Sequence, residues 1–206
     1  MATENTQREQ AVALLRDRGM MRLSELQKTG ITAATVGRMV RAGELNRLAR
    51  GLYQLPDAPL DANHSLAEAA KLVPGGVVCL VSALAYHGLT DQLPRSVWIA
   101  VEKGRWSPKP NGGVNIRVVR FTDALLADGA AAARIENVPV KIFGVGKTVA
   151  DCFRHRRKVG LGVALEGLRE ALRQRKASPA EIARHAARGG VATIVRPYLE
   201  AFTADD

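Results

Sequence analysis

The stretch from Leu23 to Leu55 constrains this chain more than any other. Leu23-Ser24-Glu25-Leu26-Gln27-Lys28-Thr29-Gly30 begins beside a serine that can accept a backbone N–H. It ends on a glycine that can enter a left-handed turn, so it predicts a short helix capped by Ser24. Thr32 predicts the cap of a second helix, in which Val36, Met39 and Val40 recur at helical spacing. Gly43 closes that helix. Leu45 and Leu48 then lead into Gly51-Leu52-Tyr53-Gln54-Leu55, and the run reads as two short strands joined by a basic turn. The pattern is a helix-turn-helix followed by a wing.

On this reading Thr32, Ala33, Thr35, Arg38 and Arg41 point away from the small core on the second helix. Asn46, Arg47 and Arg50 do so on the hairpin, and Ser24 marks the start of the first helix. Arginines on a capped helix beside a basic hairpin suit a DNA major groove and its flanking phosphates. Thr35, Arg38 and Arg41 are the candidates for base contacts, Arg47 and Arg50 for phosphates. The opposing reading is a protein-protein module whose arginines form a solvated face.

With 206 residues, 47% of them hydrophobic, the chain exceeds what one such domain needs, so a second domain is expected. Residues 6–18 predict a support helix, with Ala11, Leu14 and Leu15 at helical spacing, Thr6 and Glu9 placed as a capping box and Gly19 as its end. Pro56-Asp57-Ala58-Pro59 breaks the periodicity and sets a boundary between an N-terminal domain, 1–57, and a second domain, 58–206. The formal charge of +10 and pI of about 10.2 favour a polyanionic partner. The two cysteines, Cys79 and Cys152, lie in apolar runs and form no metal-ligand spacing; they are expected to be buried thiols. The start of the sequence has no leader-like pattern and no apolar run reaches membrane-spanning length, so a cytoplasmic protein is expected, with no membrane partner.

In the second domain, 64–72 predicts a helix, Pro74-Gly75-Gly76 a turn into Val77-Val78-Cys79-Leu80, and Ser82 the cap of a helix over 83–87. Three strands are expected at 97–101, 116–121 and 138–143, then helices over 148–156, 161–175, 179–187 and 191–202. The fold class is therefore α+β: an N-terminal winged helix-turn-helix, then a mixed α/β domain with a small sheet and a C-terminal helical bundle. The loop 102–110, with Trp106 among basic residues and prolines, is a candidate contact surface. Arg154, Arg156, Arg157, Lys158, Arg169, Arg173, Arg175 and Lys176 give the last helices a basic side, either solvated or a docking face for an acidic protein or nucleic acid.

The basic helix-turn-helix ending in Arg50-Gly51-Leu52-Tyr53, with Ser82-Ala83-Leu84-Ala85-Tyr86-His87-Gly88-Leu89-Thr90, Val97-Trp98-Ile99-Ala100-Val101 and Lys147-Thr148-Val149-Ala150-Asp151-Cys152-Phe153, resembles the AbiEi-type antitoxins of type IV toxin-antitoxin systems. The resemblance runs from about Arg8 to Leu199. It implies a transcriptional autorepressor whose winged helix binds inverted repeats in double-stranded DNA at its own promoter. It also implies a C-terminal domain that counters a nucleotidyltransferase-type toxin, with or without a stable complex. It supplies no residue-level antitoxicity motif, and no cofactor is implied.

The same residues argue against catalytic chemistry. Gly144-Val145-Gly146-Lys147-Thr148 has the Gly-Lys-Thr of a phosphate-binding loop, but Lys141 stands where that motif needs its first glycine. Lys147, Asp151 and His155 fall at four-residue steps and read as a helix-face ion pair rather than a relay. His64, His87 and His185 are scattered without ligand spacing. A nuclease that uses the winged helix to position substrate is the alternative function; it needs clustered carboxylates, and Asp91, Glu102, Asp123, Asp128, Glu136 and Asp151 are dispersed.

Overall fold

A computed structural model describes residues 2–104 and 112–204, with side chains from Thr6. Most of the basic loop, including Trp106, lies outside the described residues. The chain divides into two compact units, residues 1–75, 107–116 and 133–140 in one and 76–106, 117–132 and 141–206 in the other. The first unit runs beyond Asp57, where the sequence breaks its periodicity.

The first unit contains α1 (Ala2–Arg18), β1 (Met21–Arg22), α2 (Leu23–Lys28), α3 (Ala33–Arg41), β2 (Asn46–Ala49), β3 (Leu52–Gln54) and α4 (His64–Leu72). The three strands form an antiparallel sheet in the order β1-β3-β2, pairing Met21 with Tyr53 and Arg47 with Tyr53 from the other side. Ala11 and Leu15 of α1 pack with Leu26, Ile31, Val36, Met39 and Leu45 in one apolar core. Burial of this stripe, rather than the helical propensity of six- or nine-residue helices, is what stabilises them.

Two capping expectations are corrected. Arg22, not Ser24, holds the N-cap position of α2, and its N–H donates to Glu25 Oε2 at 2.7 Å. The N-terminal helix begins at Ala2, so Thr6 and Glu9 lie inside it rather than at its start. The β1 strand and its pairing explain the first shift: the backbone stays extended through Arg22, and the helix opens one residue before the serine.

The remaining elements are β4 (Val77–Val78), α5 (Leu80–Tyr86), β5 (Val97–Glu102), β6 (Ile116–Phe121), α6 (Asp123–Ala127), β7 (Ala130–Ile135), β8 (Val138–Phe143), α7 (Val145–Arg154), α8 (Arg156–Val159), α9 (Leu161–Arg173), α10 (Pro179–Arg188) and α11 (Ala192–Thr203). The sheet has five strands in the order β6-β5-β4-β8-β7, with β4 antiparallel to β5 and parallel to β8. Helix α7 packs against α5, α9 and α10. Val149, Cys152 and Phe153 of α7 share a core with Leu84, Phe121, Phe143 and Leu168. Ser82 is not a cap: α5 begins at Leu80, and the serine Oγ accepts the Trp98 N–H at 3.0 Å. Both cysteines are fully buried, and burial pushes each thiol well above its ordinary range.

The tip of the β7–β8 hairpin, which belongs to the first unit, is a two-residue turn of Glu136 and Asn137 with φ of 48° and 63°. Positive φ at both centres matches the right-handed twist of a hairpin, and it strains a non-glycine such as Glu136. The strain is offset by what the side chain does. Its carboxylate accepts the Asp61 N–H at 2.7 Å, contacts His64 Nδ1 at 2.8 Å and accepts Gln54 Nε2 at 3.3 Å. The segment after β3 is thereby pinned to the hairpin tip. At the backbone of the same turn, a Cβ added to Gly19 would lie 1.9 Å from the Glu136 carbonyl oxygen, and Gly19 itself has φ of +71°.

Gly19→Ala is therefore expected to destabilise the protein by clearly more than Gly43→Ala. Gly43 also has a positive φ, +73°, but nothing stands within 4 Å of its added Cβ. The second substitution costs only the left-handed backbone, about 1 to 2 kcal/mol. Chemical denaturation of the two variants beside the native chain measures the difference.

Candidate functional site

The outward surface of the first unit is built on α3. Thr32 caps the helix, its Oγ1 accepting the Thr35 N–H at 3.2 Å, which supplies one of the partners the first turn lacks. Val36 and Met39 face the core. A helix advances 100° per residue, so the side opposite that pair is marked by Ala34, Arg38 and Arg41 at i, i+4 and i+7; all three are exposed. Arg38 and Arg41 thus lie together as the sequence predicts, with Thr32 and Ala33 exposed at the start of the helix. Ala34 was missed in the sequence reading, although the helical spacing back from Arg38 marks it.

Thr35 is corrected. It is 2% exposed, and its Oγ1 donates to Gln7 Oε1 at 2.8 Å. One position beyond Ala34 turns the side chain about 100° toward α1, where the hydroxyl finds a partly buried acceptor. The same Gln7 oxygen also accepts the Thr32 N–H at 3.3 Å. Arg8, one residue on, pairs with Glu44 just after α3. Gln7 and Arg8 of α1 therefore hold the two ends of α3. No sequence motif announces this, because the partners are 28 and 36 residues apart.

The hairpin β2–β3 turns at Arg50-Gly51, with Gly51 at φ of +75° and a register irregularity between Arg47 and Ala49. Asn46, Arg47 and Arg50 are exposed, and Arg47 Nε also donates to the Ala49 carbonyl at 3.4 Å. Ser24 is exposed in the first turn of α2. Of the sequence-predicted positions, all but Thr35 are thus on the surface. The groups they present are guanidinium ions and small polar or methyl side chains. Guanidinium ions of this kind are suited to pairing with anions.

In the second unit Lys147, Arg154 and His155 lie around the Phe121 ring. Lys147, 1% exposed, ion-pairs with Asp151 at 2.7 Å and places Nζ 5.1 Å from the ring centroids of both Phe121 and Phe143. Its ammonium is buried beside Asp151 and the two rings, in the core, rather than at the start of α7 where a phosphate-cradling lysine would have to stand. Burial raises the Asp151 carboxyl against the pull of Lys147. The His155 ring lies 5.3 Å from Phe121, and burial, followed by the charges of Arg154, Lys158 and Lys147, pushes its pKa down to about 4. Asp128 holds His185 Nδ1 at 2.8 Å and pairs with Arg188; burial works to raise its pKa, but these partners hold it below the usual value. His87 Nε2 bonds the Phe143 carbonyl at 2.8 Å, and His64 is engaged by Glu136. Among the described residues, no group of three or more His, Cys, Asp or Glu is arranged to hold a metal ion. No described helix is long and apolar enough to cross a membrane.

With this geometry in hand, comparison with known families places residues 9–56, from α1 to just past β3, in a match to the family described as "Transcriptional regulator, AbiEi antitoxin". The AbiEi-type resemblance is shown over that segment, which contains α3 and the whole β2–β3 hairpin. No curated protein matches the chain.

Two outcomes follow. Thr35→Val leaves the partly buried Gln7 oxygen short of its best donor and is expected to lower stability by about 1 kcal/mol in denaturant titrations, although the methyl groups fit. His155 is harder to protonate in the folded chain than in the unfolded one, so the unfolded state binds more protons between pH 6.5 and about 4. Stability should accordingly decline as pH falls through that window, and His155→Gln should flatten the slope of Tm against pH.

Proposed function

We propose that the chain is a DNA-binding transcriptional autorepressor and the antitoxin of a type IV, AbiE-like toxin-antitoxin system, acting in the cytoplasm. In this reading residues 1–57 are a winged helix-turn-helix, with α2 and α3 as its helical pair and β2–β3 as its wing. Helix α3 enters the major groove of double-stranded DNA at inverted repeats in the chain's own promoter and occludes it. The remainder, 58–206, counters a nucleotidyltransferase-type toxin, with or without a stable complex.

The observation that carries this reading is the convergence of Arg38 and Arg41 on the exposed side of α3, beside a hairpin that exposes Asn46, Arg47 and Arg50, inside the segment that matches the AbiEi family. Arg38 and Arg41 are assigned to base edges, with Ala34 between them and the helix start as an apolar contact to a thymine methyl. Arg47 and Arg50 are assigned to phosphates. Thr35 contributes by fixing the helix and not by touching DNA. The net charge of +10 supports a polyanionic partner on the same grounds.

A mobility-shift assay with the DNA upstream of the chain's own gene tests the proposal. Arg38→Ala or Arg41→Ala should cost about 1 to 3 kcal/mol on the operator and relax discrimination at one base position. Arg47→Ala or Arg50→Ala should weaken binding to all duplexes alike and reduce the slope of log affinity against log salt by about one each. Failure of the native chain to distinguish its upstream DNA from random duplex would overturn the repressor reading. A toxin encoded beside it whose growth inhibition is unaffected by co-expression of this chain would overturn the antitoxin half.

A further inference from the structure

The first unit carries a solvent-open pocket of about 580 Å³, formed by three segments distant in sequence: the end of α1, the strap that follows β3 and the tip of the β7–β8 hairpin. Its size lies in the range of sites that hold small organic molecules. Leu15, Leu55, Ala58 and Pro59 give it an apolar wall.

The charges around the cavity are unequal in availability. Glu136 lines it, but its side chain is 5% exposed and its carboxylate is committed to Gln54, Asp61 and His64. Arg16 and Arg134 also line it; both are exposed, and neither has a hydrogen bond or ion pair with any described residue. Asp57, likewise exposed and unpaired among the described residues, is the other charged lining group. Two uncommitted guanidinium groups and one uncommitted carboxylate therefore line a pocket with an apolar wall. A guanidinium presents parallel N–H donors that match a carboxylate, and such charge-assisted pairs gain strength beside apolar walls. The walls are also held in place without a ligand: Gly19 is packed on the Glu136 backbone, and the Glu136 carboxylate ties the strap to the hairpin.

We propose that this cavity is a binding site for a small amphipathic carboxylate, its apolar body against Leu15, Leu55 and Pro59 and its anionic head between Arg16 and Arg134. The site belongs to the free protein and does not depend on the DNA-binding reading.

The test uses the full chain, isotopically labelled, with octanoate as probe and octanol as its uncharged counterpart, followed through backbone amide chemical shifts. Octanoate should produce saturable shifts at Gly19, Gln54, Leu55 and Asn137, and octanol should bind at least tenfold more weakly at the same amides. Arg16→Gln combined with Arg134→Gln should weaken octanoate at least tenfold and leave octanol unchanged; both positions are on the surface, and an unaltered amide spectrum away from the cavity confirms the fold of the variant. Shifts scattered over the surface, equal affinity for octanoate and octanol, or an unweakened double variant would each overturn the proposal.

Discussion

The single oxygen of Gln7 that takes the Thr35 hydroxyl sets the orientation of α3. A helix of nine residues is too short to be stable alone, and its apolar contacts through Val36 and Met39 resist sliding weakly, because one methyl-lined position resembles the next. A directional hydrogen bond at one end and the Arg8–Glu44 pair at the other remove that freedom. The exposed arginines inherit their direction from these two contacts. Helix α1 is thus the beam of the first unit: its N-terminal half grips α3, and the glycine just after its C-terminus meets the Glu136 backbone.

Much of this was legible in the sequence because it is local. A threonine before a helix, a glycine after it and a Gly-containing turn between alternating strands act within four or five residues, and Thr32, Gly43 and Arg50-Gly51 all stand where those signals place them. The family match over residues 9–56 covers the same stretch, whereas the other segments that carry the AbiEi-type resemblance, residues 82–90, 97–101 and 147–153, lie outside it. Thr35 departs from its expected outward position because the buried stripe of Val36 and Met39 places Ala34, not Thr35, opposite the core.

What stayed hidden was non-local. Strand β7 is written Ala-Ala-Ala-Ala-Arg-Ile, a run whose intrinsic preference is helical; pairing within the sheet overrides that preference. Strand β1 has two residues and no period to detect. The cavity was unreadable for the same reason, since nothing in Leu15, Ala58 or Arg134 separately announces a common wall. In the second unit, Lys147 and Asp151 were correctly paired from their four-residue spacing, but Phe121 and Phe143, which hold the ammonium between two ring faces, enter from strands.

The burial of Cys79 and Cys152 has a practical side. With neither sulfur reachable and both held protonated, maleimide and similar reagents should pass over the native chain under folded conditions. Ser24, exposed and with its side chain uninvolved in capping α2, is a ready place for an introduced thiol. A Ser24→Cys chain would carry a dye or spin probe at one defined point near the arginine surface, without first removing the two native sulfurs from the core.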